Sequence, residues 1–97
     1  MAHKVIKISG STQVKMIDIG DPGIRYIAMA NIHDTDTAAV DLFLANSTDN
    51  YYIFKNLSIP AGQKLILEGN EITYDTRIYS LYIKLGASSS NVDVIIK

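Results

Sequence analysis

Short segments in which apolar and polar residues alternate run through this chain, most clearly between Tyr26 and Glu68. They are separated by turns rich in Asp, Asn, Thr, Ser, Pro and Gly. Within residues 38–45, Val40, Leu42 and Leu44 fall on one side of a period of two and Asp41 on the other. Successive side chains of a strand point to opposite faces, so this pattern predicts strands with one buried and one wet face. Eight are predicted: residues 3–8, 13–19, 24–33, 38–45, 51–55, 64–68, 78–85 and 92–96. The third is apolar on both faces for most of its length, as a central strand should be.

The intervals fit this reading. Gly20-Asp21-Pro22-Gly23 demands a turn, because proline fixes one backbone angle and glycine frees another. His33-Asp34-Thr35-Asp36-Thr37 holds side chains that bond readily to local backbone, and Pro60-Ala61-Gly62 precedes the sixth strand. Residues 69–75 form a connection with room for a short strand at 72–74, and the weakly patterned 71–79 leaves one helical turn open. No sustained 3.6-residue period, internal repeat or long linker appears. Strands at this spacing predict an all-β chain, a single antiparallel β-sandwich of jelly-roll or immunoglobulin-like type, with strand order left open.

With 97 residues, the chain is expected to form one domain with one continuous core. Nine basic and ten acidic residues give a formal charge of −1, which offers no general attraction to nucleic acid or anionic membrane. Near-neutrality also does little to keep copies apart, which suits a chain that works in an assembly. Cysteine is absent, so disulfides and thiolate metal sites are not available. Residues 1–10 lack the apolar core of a signal peptide, and no run is long enough for a helical membrane span. Soluble synthesis in the cytoplasm is the expectation.

Candidate chemistry is sparse. His33, Asp34 and Asp36 lie within four residues, but one short turn would have to supply every ligand of a metal, and turn formation explains them without one. Asp49 and Asn50 follow Ser47-Thr48 in a second oxygen-rich loop whose single carboxylate would need help from Asp34 or Asp36 to hold calcium, and an ordinary loop is the expectation. Asn46 and Asn56 begin N-x-S/T patterns and are read as ordinary polar positions. Neither a nucleophile elbow nor a phosphate-cradling glycine loop is present, so no catalytic, cofactor or metal residues are assigned. Tyr51, Tyr52, Phe54, Tyr74, Tyr79 and Tyr82 form an aromatic set in the second half. Without a basic groove beside them they do not suggest base stacking; sugar contact or, better, contact with another subunit fits.

The run NYYIFKNLSIPAGQKLILE, with YIAMANIHDTDTAAVDLFLAN before it and YSLYIKLGASSSNVDVIIK after it, resembles small structural proteins of tailed bacteriophages. The resemblance covers roughly residues 24–97 and rests on the order of the whole pattern. It implies a β-sandwich virion protein, most specifically a capsid decoration or cement protein, with no catalytic residues. Neck, tail and fibre-base positions belong to the same resemblance. The implied partners are the major capsid protein or other virion proteins, with the chain present as a homo-oligomer or in many copies.

On this reading the interface candidates are Lys4, Ile6, Lys7, Tyr51, Tyr52, Tyr79 and Tyr82. Residues 1–8 are either a basic docking arm that adds to a neighbour's sheet or the first strand of the domain itself. A carbohydrate- or receptor-binding sandwich using the tyrosines is the alternative.

Overall fold

The computed structural model describes residues 4–97 and contains eight strands and one short turn of 3-10 helix. The strands are β1 (Lys4–Ser9), β2 (Val14–Ile17), β3 (Tyr26–Asn31), β4 (Ala38–Ala45), β5 (Asn50–Ile59), β6 (Lys64–Glu68), β7 (Ser80–Leu85) and β8 (Asn91–Ile96). They form two four-stranded sheets, ordered β1-β8-β3-β6 and β2-β7-β4-β5, with every pairing antiparallel. First pairs with eighth, second with seventh, third with sixth and fourth with fifth, as in one long hairpin rolled up so that its strands alternate between sheets. That order is a jelly roll, which decides between the two sandwich types the sequence left open.

The inward faces close on a single core. Val40 and Leu42 of β4, Leu81, Ile83 and Leu85 of β7, Ile27 and Met29 of β3, and Val92, Val94 and Ile96 of β8 are all buried. Burying such a side chain contributes about 1.5–3 kcal/mol relative to leaving it exposed, so these positions set the register of both sheets. A shift in β2 between Lys15 and Ile17 turns both Met16 and Ile17 inward, which strict alternation would not do.

β2, β3 and β7 are one or two residues shorter at their ends than expected, and two other segments depart further. The fifth strand does not end at residue 55 but continues to Ile59. Asn56 adopts a left-handed φ of 55° there, and its N–H, which leaves the ladder, donates to Asp41 Oδ1 at 2.8 Å. Asparagine tolerates that conformation better than most residues, so the strand bulges and resumes. The second departure is at 72–74, where no short strand forms. Gly69–Glu71 is the 3-10 turn, and Ile72 after it is buried in the core. Of residues 1–8, those from Lys4 onward belong to β1, paired along its whole length with β8; the start of the docking-arm reading, Met1 to His3, lies outside the described residues.

Candidate functional site

The outward side of the β2-β7-β4-β5 sheet carries a row built from four strands, three of which supply an aromatic ring. Lys15 pairs with Tyr82, Tyr82 with Phe43, and Phe43 with Tyr52. Phe43 and Tyr82 stack with ring centroids 5.4 Å apart and planes 6° from parallel; Tyr52 leans on the other side of Phe43 at 5.0 Å and 37°. The outer rings shelter Phe43 so well that it is 1% exposed, although it faces away from the core. Tyr52 itself is 45% exposed, and Lys55 sets its ammonium 4.9 Å above the ring centroid.

Charge surrounds these rings. Lys15 lies 3.3 Å from Asp18, whose carboxyl is held below the usual range by the Ile19 N–H and then by Lys15. One row along, Lys84 of β7 is the cross-strand neighbour of Asp41 of β4, the aspartate that anchors the Asn56 bulge. The result is a flat, pre-formed aromatic platform on a rigid sheet, with lysines at its margin.

The seven residues singled out in the sequence divide into separate groups. Tyr52 and Tyr82 come together around Phe43, which sequence reasoning missed because alternation alone assigns it to a wet face. Tyr51 and Tyr79 meet edge to face at 5.8 Å, with Tyr51 across from Leu44 rather than in the Phe43 row. Lys4 donates to Met16 O at 2.9 Å and lies 3.8 Å from Asp21, tying β1 to the opposite sheet and to the following turn. Ile6 is half-buried against the core, while Lys7, next to it on β1, faces outward and pairs with Asp93 at 3.0 Å.

The polar loops are occupied by their own backbone. His33 Nδ1 accepts from the N–H groups of Thr35 and Asp36, at 3.2 and 3.0 Å. Asn46 Oδ1 accepts from the N–H groups of Thr48 and Asp49, at 2.9 and 2.8 Å. A buried asparagine that sequence reasoning passed over anchors the first of these loops. Asn31 Nδ2 donates to the carbonyls of Asp36 and Ile59, both at 2.8 Å, and its Oδ1 accepts from the His33 N–H at 3.0 Å. In the sequence it reads as the tail of an apolar strand. Among the described residues, no group of three or more His, Asp or Glu side chains converges on a possible metal position.

A cleft of about 170 Å³ is lined by Ile17, Ile24 and Ile96 together with Lys4 and Asp21. It is smaller than the roughly 300 Å³ at which ligand pockets begin. The Tyr74 hydroxyl is buried without a hydrogen-bond partner, and its pKa is raised well above the ordinary tyrosine value, first by burial and then by the charge of Asp21.

No protein family matches the sequence, and no curated protein matches it. Solved structures similar in shape do exist. PirA is 9% identical, with 97% of this chain and 90% of that chain covered and a TM-score of 0.55. The nucleoplasmin-like N-terminal domain of Drosophila FKBP39 is 11% identical, covering 97% and 84%, with a TM-score of 0.52. Anabaena sensory rhodopsin transducer is 12% identical, covering 96% and 91%, with a TM-score of 0.51. At these identities the likeness is one of fold. It carries no activity across, since one fold serves many functions.

Proposed function

We propose that this chain is a non-catalytic assembly module that docks on another protein through the Tyr82–Phe43–Tyr52 face. The observation that carries this reading is the aromatic row itself, three rings packed across neighbouring strands with Tyr52 left nearly half exposed. Tyrosine supplies a large contact area at a small cost in side-chain entropy. Here the rings are already immobilised by one another, so docking orders little that is not ordered beforehand. Lysines at the margin favour a partner surface with acidic groups around an apolar centre.

The more specific role is that of a bacteriophage virion structural protein, a capsid decoration protein made in the host cytoplasm. It is supported by the sequence resemblance over residues 24–97 and by the small, near-neutral, cysteine-free chain. In that role many weak contacts act together, because anchoring at one site raises the effective concentration at the next. Binding only the assembled shell also shifts the assembly equilibrium toward it. Neck, tail and fibre-base positions would use the same face.

A second reading follows from the same platform. The exposed Tyr52 ring also suits a sugar ring that takes the place of Lys55 over its face.

The test is co-sedimentation of the purified protein with shells from which it has been stripped. Saturable binding is expected, and Tyr52→Ala should weaken it about tenfold or more, the effect of losing an interface hot spot. Wild-type protein that stays in the supernatant overturns the decoration role. Binding unchanged by both Tyr52→Ala and Tyr82→Ala overturns the choice of face. A glycan array with hits that vanish in Tyr52→Ala favours the sugar reading instead.

A further inference from the structure

The outward side of the other sheet carries a different pattern. Val5, Ile95, Ala28 and Ile66 are cross-strand neighbours, one from each strand of β1-β8-β3-β6. Val5 is 73% exposed and Ile95 42%, while Ala28 is 8% exposed and Ile66 half-buried, so this apolar row crosses the whole sheet and is open to solvent at its β1–β8 end. Two residues along in one direction lies the row Lys7–Asp93–Ala30–Lys64. Two residues along in the other lies Lys97–Tyr26–Glu68, where Lys97 and Tyr26 exchange backbone hydrogen bonds and the Lys97 ammonium sits 4.8 Å from the Tyr26 ring centroid.

On β8, β3 and β6 the two flanking rows are opposites. β8 reads Asp93, Ile95, Lys97 on this face, and β6 reads Lys64, Ile66, Glu68. The strands therefore carry charge–isoleucine–charge with reversed sign. Between them β3 has Ala30 on one flank and Tyr26 on the other, small against large.

We infer that this face binds a second copy of the chain, through a twofold axis running across the strands along the Val5–Ile95–Ala28–Ile66 row. That axis lays the apolar row on itself and exchanges the two flanks. Asp93 then meets the second copy's Lys97, Lys64 meets its Glu68, and Ala30 receives its Tyr26; symmetry makes each contact twice, as an isologous interface requires. The other face-to-face twofold axis, parallel to the strands, places Lys7 over Lys64 and leaves Asp93 over Ala30. Charge and size complementarity both select the first arrangement. The inference stands apart from the docking face proposed above, which lies on the opposite sheet.

The contact is small. Three strand spacings of about 4.8 Å and six residues at roughly 3.3 Å each give a face about 14 by 20 Å. That is about 280 Å² per copy, below the roughly 1,000 Å² total of a stable interface, so the dimer should be weak and transient, depend on concentration and weaken with salt as its rim charges are screened.

Analytical ultracentrifugation of the full chain tests this. A monomer–dimer equilibrium is expected to be visible by about 100 µM at low salt, following weak-interface affinities. Ile95→Asp, at the exposed centre and away from any turn, should remain monomeric while keeping the wild-type circular dichroism spectrum. Lys64→Glu alone and Glu68→Lys alone each place like charges in contact and should also be monomeric. Mixed in equal amounts, these two variants restore opposite charges on both sides and should dimerise with each other. Monomeric wild-type protein throughout the range overturns the inference, as does a dimer that survives Ile95→Asp. Failure of the two folded charge variants to associate when mixed overturns the proposed axis.

Discussion

The two outer faces of this sandwich solve the same problem in different ways. Each sheet has one side on the core and one toward water, and each outer side carries a cross-strand row of apolar residues. On β2-β7-β4-β5 the row is aromatic and covers itself: Tyr82 and Tyr52 flank Phe43 and remove it from solvent. On β1-β8-β3-β6 the row is aliphatic and remains open at one end, with Val5 and Ile95 exposed between two bands of charge. Large rings reach their neighbours across a strand, whereas branched aliphatic side chains stand upright and need a surface from elsewhere. The aromatic face therefore contributes to the stability of the monomer as well as offering a platform. The aliphatic face contributes little until something covers it.

Substitutions should separate the faces by size of effect. Phe43→Ala removes a buried ring and both its stacking partners, and chemical denaturation should show a loss of about 3 kcal/mol. Asn31→Ala should cost about 2 kcal/mol by the same measurement, because the carbonyls of Asp36 and Ile59 lose their donor. It is an interior control that belongs to neither face. Tyr74→Phe, a second interior control, should stabilise the chain by about 1 kcal/mol, because it removes a buried hydroxyl that has no partner.

Tyr74 also gives a pH dependence. Its folded pKa lies above its unfolded value, so its contribution is fully present below about pH 10, the ordinary tyrosine pKa. It should fade as pH rises beyond that point, and the loss should be smaller in Tyr74→Phe. The smallest effect belongs to the open face, where Val5→Ala should change monomer stability by no more than about 0.5 kcal/mol. A Val5→Ala loss as large as that of Phe43→Ala would erase the contrast between the sheets.

Much of this fold was legible in the sequence, since burial imposes a period of two. Val40, Leu42 and Leu44 signalled β4 with its observed bounds, and Lys64–Glu68 likewise. Gly20 to Gly23 marked the break between β2 and β3. Strand order was not legible, because pairing β1 with β8 joins residues about as far apart as the chain allows, and no local signal encodes it.

The candidate site was legible in part. Tyr52 and Tyr82 stand out as aromatic, but their meeting on Phe43 depends on register between three strands. Asn31 looked like one more strand residue until its three hydrogen-bond partners converged on it. The reversed charges of β6 and β8 are plain in the sequence, yet they gain meaning only once both strands share a sheet face.

The difference between the faces is tested most directly by amide and side-chain NMR of isotopically labelled protein over a dilution series. Shifts that move with concentration should be confined to the outward residues of β1, β8, β3 and β6, centred on Ile95 and Ala28, while Tyr52, Phe43 and Tyr82 stay fixed. Concentration-dependent shifts centred on the Tyr82–Phe43–Tyr52 row, or none on either face, would contradict the division of roles.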